Sequence, residues 1–391
     1  MRQPRKLWDT LSTVLGTYRF RGLPNNIPTA QDFLDFLHKK IVAVRKETGT
    51  DTTVTFVPVA TTTINTFQTY TGEDISKIIS AAPSMSCELD PLPTDIFKEL
   101  LSDLLPFITN MCSASLSEGL LSTSQRSAII TPRLKKVGAD PSDALSTSFK
   151  SYIHVENRLS TTCVEQNGLL PESQFAYYRR GHSTETAVVK IVSDFLLATD
   201  RREVTLLSLF DMSAAFDMVD HDILIQRLHH SFGFRDVVLA WIRSFITART
   251  QRVRVGDQYS SYASVFYGVP QGSILGPVLF LSYTADVLVI AGRYGVSAHH
   301  SYADDTQLYI HSCTDSCSMM FRHFTACINE MGSWMSSIRL KLNSEETQFT
   351  CLGSRYQLAK VDTTVFIFNN LHINILSVVT CLGVEIKSIR N

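Results

Sequence analysis

Two adjacent carboxylates, Asp304 and Asp305, stand in "HSYADDTQLYI" between short runs in which apolar or aromatic residues alternate with polar ones. Alternation with a period of two marks strands, so the pair is expected at the tip of a hairpin. A third carboxylate, Asp211, closes "EVTLLSLFD", whose nearly continuous apolar run reads as a strand buried on both faces. A sheet that sets this strand beside the hairpin would gather three carboxylates. Like charges that close repel unless cations neutralise them. Oxygen-only ligands suit Mg²⁺ or Mn²⁺, and two such ions about 3.5 to 4 Å apart form a clamp for in-line phosphoryl displacement. The competing reading of Asp304 and Asp305 is ordinary turn chemistry, because Asp favours turns and water.

The elements that must position these residues sit in a chain of 391 residues with 44% hydrophobic content, enough for two or three subdomains and a sizeable core. A net charge of -1 means that nucleic-acid contacts would rest on local patches. One is residues 1–46, where Arg2, Arg5, Lys6, Arg19, Arg21, Lys39, Lys40, Arg45 and Lys46 outnumber Asp9, Asp32 and Asp35 by about six. Another is "ARTQRVRVG" at 248–256. The eight cysteines are scattered with no zinc-type spacing, which fits free thiols in a reducing compartment. No secretory leader is recognisable, and Asp286 interrupts the longest apolar run, "VLFLSYTADVLVIAG". The expectation is an intracellular protein, nuclear or cytoplasmic, that is neither secreted nor membrane-bound.

The Thr-rich stretch 48–72 reads as a linker with at most one short strand. In "DIFKELLSDLLPFITNMCSASLSEGL" the helical spacing is broken at Pro106, predicting two helices or a kinked one. "STETAVVKIVSDFLLATD" is the clearest helix, with Ser183 as its cap. "HDILIQRLHHSFG" and "RDVVLAWIRSFI" read as helices, "QRVRVG" as a strand and "YGVPQGSILGP" as a loop entering a helix. Another helix is expected near 321–337, followed by hairpin strands reaching "CLGVEI". Strands at about 204–211, 298–303 and 306–311 should share one sheet in a split βαβ arrangement. The helices "STETAVVKIVSDFLLA" and "DHDILIQRL" should both pack on one of its faces.

Taken in order, "SLFDMSAAFDMVDHDIL", "YGVPQGSILGPVLFLSYTADV" and "YADDTQLYI" resemble the successive palm motifs of reverse transcriptases of non-LTR retrotransposons, the LINE elements of L2, chicken-repeat and jockey type. "RKLWDTLSTVL", "CELDPLPTDIFKEL", "GHSTETAV", "TQRVRVG" and "IRLKLNSEETQ" are similar to further segments of that family. The resemblance implies an α+β fold: a right-hand polymerase palm, an antiparallel sheet backed by helices, with partial fingers and a helical N-terminal segment. It divides the chain into a basic N-terminal segment and linker at 1–72 and a reverse transcriptase domain at 73–391. Within that domain the fingers fall at about 73–200 and the palm at about 201–391, with most of a thumb missing and no endonuclease. The implied activity is RNA-directed DNA polymerisation by two-metal nucleotidyl transfer, with RNA template, DNA primer and deoxynucleoside triphosphates as partners and two Mg²⁺ ions, or Mn²⁺, as cofactors. Oligomeric state is left open.

Carried over by resemblance, Asp211, Asp304 and Asp305 are the metal-binding carboxylates, with the Met212 carbonyl as a further ligand. Phe216 matches the aromatic under the incoming sugar, Ala215 its close neighbour, and Gln271 the residue at the nascent base pair. Read by itself, Phe216 is a core residue beside a buried strand. Gly268 and Gly272 would let the backbone approach the template, Lys341 would assist pyrophosphate departure, and Arg179, Arg180, Arg252 and Arg254 would contact nucleic acid. Asp217, Asp220 and Asp222 read as turn and helix-start residues.

The chain departs from the family pattern at "ALSTSFKSYIHVENRLSTTCVEQ", which lacks an "NYRPIS"-like stretch, and at Glu346, where a Lys is expected. Residues 141–167 are therefore expected to be irregular, a deletion or frameshift scar. One alternative is a catalytically weak or inactive retrotransposon remnant that only binds RNA. Another is an RNA-dependent RNA polymerase, disfavoured by Phe216 where a ribose-reading polar group would be wanted.

Overall fold

The computed structural model describes residues 28–48, 54, 56, 63–81, 94–134, 147–152, 183–273, 275–296, 298–302, 305–343, 346–361, 367–368, 371–372 and 374–388. The helices used below are α1 (Ala30–Glu47), α2 (Gly72–Ala81), α3 (Leu101–Glu118), α4 (Thr184–Asp200), α5 (Ala215–Met218), α6 (His221–His230), α7 (Asp236–Ile246), α8 (Leu275–Thr284), α9 (Asp286–Arg293) and α10 (Cys317–Ser337). The strands used below are β1 (Ser127–Leu134), β2 (Thr147–Tyr152), β3 (Glu203–Phe210), β4 (Arg249–Val255), β5 (Gln258–Tyr259), β6 (Ala263–Val265), β7 (Ala298–Tyr302), β8 (Asp305–Cys313), β9 (Gln348–Leu352) and β10 (Val378–Cys381), the last paired with Val384–Lys387; Ile367–Phe368 and Leu371–His372 form a further short antiparallel pair.

Four of these strands make an antiparallel sheet in the order β7-β8-β3-β9. Since β7 and β3 both oppose β8, they run parallel with β8 inserted between them, which is the split βαβ arrangement. Period two then sorts β3. Val204, Leu206 and Phe210 enter the main core with Leu224 and Leu228 of α6 and Ile328 and Met331 of α10. Leu207 instead packs with Ile191 of α4, Tyr309 of β8 and Val379 of β10. The expectation that both helices cover one face is therefore corrected: α4 and α6 lie on opposite faces. A strand apolar on both sides requires cover on both.

The second sheet has the path β2-β1-β4-β5, with β6 added to β4. Here β1 pairs antiparallel with β2 and parallel with β4. A division of the chain at about 201 thus runs through a hydrogen-bonded sheet. Within 141–167, where irregular backbone was expected, Thr147–Tyr152 is a paired strand; the rest of that range lies outside the described residues.

Helix α1 starts at a capping box in which the Thr29 hydroxyl accepts from the Asp32 N–H and the Asp32 carboxylate accepts from the Thr29 N–H. Its Phe33, Leu34 and Leu37 pack on Ile130 and Val253 of the second sheet. Farther along, the break before α3 falls at Leu100, and Pro106 is accommodated inside the helix. Of the Thr-rich stretch, Ile64 forms a parallel bridge to Phe234 and exchanges backbone bonds with Gly233 and Arg235.

Leu275–Arg293 is 19 residues long and, by length and composition, apolar enough to cross a membrane, so Asp286 does not interrupt the run as expected. It is mostly buried inside the protein. The charge of Asp286 is met by Arg227 of α6 at 2.7 Å, and Arg227 Nε donates to the Ser282 carbonyl. Helices α8 and α9 therefore form the centre of the main core.

Candidate active site

The end of the four-stranded sheet carries the acidic residues. Phe210 is opposite Thr306, so one further step along the antiparallel register sets Asp211 opposite Asp305. Side chains directly opposite share a face with Cβ atoms about 4.5 to 5.5 Å apart. Alternation from Phe210 and Thr306 puts both carboxylates on the face that carries Leu207 and Tyr309. Asp211 is half-buried and Asp305 exposed. Near Asp305 lies Cys381 of β10, whose thiol is pushed up to about 11, by burial first and then by the charges of this carboxylate. Tyr302 pairs with Asp305 across the hairpin. The intervening Asp304 lies outside the described residues, as do Arg179 and Arg180.

The backbone after Asp211 is held by residues 341–343. Asn343 N–H donates to the Asp211 carbonyl at 2.9 Å, and Ser213 N–H donates to the Lys341 carbonyl at 3.1 Å. These bonds flank the Met212–Leu342 bridge, so the carbonyl of Met212 itself points the other way, toward the β8 side. Asn343 Nδ2 also donates to Asp211 Oδ2 at 3.1 Å. Sequence reasoning missed Asn343; its signal would have been an amide in the segment that bridges to the chain just after Asp211. Two carboxylates and a main-chain carbonyl near one end of a sheet offer oxygen donors only, the chemistry that a hard divalent cation takes. Among the described residues alone, with Asp304 excluded, no cluster of three His, Cys, Asp or Glu residues suits a metal.

A second constellation joins α5 to the loop before α8. Gln271 Nε2 donates to Asp217 Oδ1 at 2.9 Å. Val269 N–H donates to the Phe216 carbonyl at 2.9 Å, and Gly268 N–H to the Val219 carbonyl at 2.7 Å. His221 Nε2 lies 2.8 Å from the Gly268 carbonyl, which can only accept, so that nitrogen carries the proton. At Gly268 φ is +90°, and a Cβ there would lie 2.9 Å from Asp217 Cα. The close approach that needs this glycine is thus to α5. Gly272 also has positive φ, +84°. Ala215 is buried, while half-buried Phe216 stacks on Phe280 of α8 with centroids 4.5 Å apart.

Asp217 is more than the turn residue expected. Burial raises its carboxyl to about 6, partly offset by the Gln271 hydrogen bond and the charge of Lys40. Asp220 does cap a helix: its Oδ1 accepts from the N–H groups of Asp222 and Ile223. It also receives Arg45 Nη2 at 2.8 Å, and the same guanidinium stacks 3.5 Å over Tyr267. Arg45 therefore ties α1 to both halves of this constellation. Lys341 pairs with Glu47, also on α1.

Arg252 and Arg254 alternate with Val253 and Val255, which pack toward α1, so the two arginines occupy the other face of the second sheet. Arg252 lies 4.0 Å over Tyr259 and 5.1 Å from the Tyr262 ring, and Arg254 lies 5.8 Å from Tyr259. This patch belongs to a different sheet from the carboxylates.

Residues 153–386 match the family model "Reverse transcriptase (RNA-dependent DNA polymerase)". The chain is 32% identical over 203 residues to the probable RNA-directed DNA polymerase from transposon BS of Drosophila melanogaster, covering 50% of this chain and 22% of that protein. It is 26% identical over 299 residues to the RNA-directed DNA polymerase from mobile element jockey of the same species, covering 73% of this chain and 32% of that one. A third relative, the probable RNA-directed DNA polymerase from transposon X-element, is 29% identical over 190 residues, covering 48% of this chain and 20% of the relative. The chain therefore spans a third or less of the length of these relatives.

Proposed function

Because the chain belongs to the reverse transcriptase (RNA-dependent DNA polymerase) family, we propose that it is the nucleotidyl-transfer region of a non-LTR retrotransposon polymerase, extending a DNA primer on an RNA template. The single observation that supports this most is the register of β3 on β8, whose last pair, Phe210 with Thr306, brings the next residues, Asp211 and Asp305, to the same end of the four-stranded sheet.

In this reading Asp211, Asp304, Asp305 and the Met212 carbonyl would hold two Mg²⁺ ions. When bound, the ions supply acidification of the primer 3′-hydroxyl and charge stabilisation on the triphosphate and departing pyrophosphate. The protein's own contribution is positioning. Asn343 holds the Asp211 carboxylate and backbone. Phe216, anchored on Phe280, crowds the 2′ position of the incoming sugar, and Gln271 meets the nascent base pair. Lys341, released from Glu47, assists pyrophosphate departure. The four-stranded sheet serves as palm, and the sheet of β1 and β4 serves as fingers together with α1. Arg252 and Arg254, stacked with Tyr259 and Tyr262, contact nucleic acid, since guanidinium and aromatic planes suit bases and phosphates together. In this reading the protein works inside the cell, in nucleus or cytoplasm, where RNA template and deoxynucleoside triphosphates are both supplied.

The test is primer extension on an RNA template with Mg²⁺, comparing wild type with Asp211→Asn and Asp305→Asn. Incorporation by the wild type, reduced at least a hundredfold in each variant, supports the proposal. Equal incorporation by all three would sink it. Salt-sensitive RNA binding without any extension would favour a remnant that only binds RNA.

A further inference from the structure

We infer that Asp217 is a positioning residue: its carboxylate sets which end of the Gln271 amide faces the nucleotide site, and so couples the base-pair contact to the sugar-facing Phe216. This deepens, and rests on, the polymerase reading above.

The physical basis is donor and acceptor chemistry. An ionised carboxylate can only accept, so opposite it the Gln271 amide must present Nε2, as it does at 2.9 Å. Its Oε1 is thereby held away from Asp217. A protonated carboxyl can both donate and accept, and then either end of the amide satisfies it. The surroundings restrict other motions. The loop is bound through Val269 to the Phe216 carbonyl, through Gly268 to the Val219 carbonyl and through the Gly268 carbonyl to His221, so the backbone leading into Gln271 is tied to α5 and α6. The remaining freedom lies in the side chain, and Asp217 controls it.

Both residues line a cavity of about 310 Å³ that is walled mainly by apolar groups, among them Leu37, Ile41, Ile130 and Val269. Burial there raises the Asp217 carboxyl to about 6, so its ionisation, and with it the amide's orientation, changes within the working range of an enzyme. The titratable and charged groups that line the cavity with it are His38 on α1, Arg249 on β4 and Tyr267 in the loop; Lys40 of α1 acts on its charge, and His221 of α6 is turned to Gly268. Arg249 is engaged by the Phe245 and Gln125 carbonyls.

Two measurements on the full chain test this. In primer extension, Asp217→Ala and Gln271→Ala should each raise KM for the deoxynucleotide about tenfold with a smaller change in kcat, and the double variant should be no worse than either. Asp217→Asn, which folds without a charge, should give a KM independent of pH, whereas wild-type KM should rise as pH falls through about 6. Separately, the Gln271 side-chain amide signal in the NMR spectrum should titrate with that midpoint in wild type and stay flat in Asp217→Asn. Additive effects in the double variant, or an amide that does not titrate, would overturn the inference. A wild type that extends no primer would refute the polymerase reading instead, and the amide titration would still decide the role of Asp217.

Discussion

Replacing Arg227 by Met should cost about 3 to 5 kcal/mol, because it strands Asp286 as an uncompensated buried charge. The side chains of Arg227 and Asp286 are 0% and 4% exposed, and their single contact is 2.7 Å. Neither Arg227 Nη2 nor Asp286 Oδ1 has a hydrogen-bond partner among the described residues. The pair is therefore incompletely satisfied, and each such atom carries a desolvation penalty of about 1 to 3 kcal/mol. Removing both charges in Arg227→Met/Asp286→Leu relieves these penalties. It also leaves the Ser282 carbonyl without its donor, a loss of similar size. The two effects nearly cancel, so the double variant should fall within about 1 kcal/mol of wild type while each single variant loses several. Met keeps much of the apolar stem that packs near Phe232 and Trp334. Urea unfolding at neutral pH, followed by circular dichroism, gives all four stabilities. A double variant as unstable as the two singles combined would refute the reasoning, as would an Arg227→Met that loses less than about 1 kcal/mol.

Asp217→Asn should stabilise the protein at pH 7 by on the order of 2 to 3 kcal/mol, since raising the carboxyl from 3.8 to about 6 makes its ionisation costly in the folded state. The sign follows from linkage: the folded state binds the extra proton, so the contribution of this one carboxyl to wild-type stability is fullest below 3.8 and is lost as pH rises through about 6, a component of the slope that denaturation should find missing in the variant. Phe216→Val should raise ribonucleotide incorporation at least tenfold in primer extension while the protein stays soluble; unchanged discrimination would leave the ring a packing group on Phe280. Gly268→Ala should cost roughly 2 kcal/mol or more in thermal unfolding, because it combines positive φ with contact against the Asp217 backbone. Arg252→Gln with Arg254→Gln should weaken RNA binding and lower its salt slope by about one to two in a titration, if the guanidinium and tyrosine patch meets phosphates.

The order of elements around the acidic residues was legible in the sequence because it rests on local periodicity. The apolar run ending at Asp211 and the alternation either side of Asp304 and Asp305 predict a strand and a hairpin without knowledge of their neighbours, and β3, β7 and β8 fall where that reading puts them. Ser183 and Asp220 announce their helices by cap chemistry alone. Tertiary structure decided what depends on residues far apart in the chain. That α4 and α6 take opposite faces follows from a sheet needing cover on both sides, which the periodicity of neither helix encodes. Asp217 looked like a turn residue because its burial and its partner Gln271 arrive from a loop more than fifty residues later. Asp286 looked like an interruption because Arg227 lies on another helix, and only packing brings the two charges within 2.7 Å. The segment containing Arg45 looked like a basic arm, yet packing commits that guanidinium to Asp220 and Tyr267. A sequence fixes the charge and shape of each side chain, but the dielectric around it and the partner opposite it are set by the folded neighbourhood.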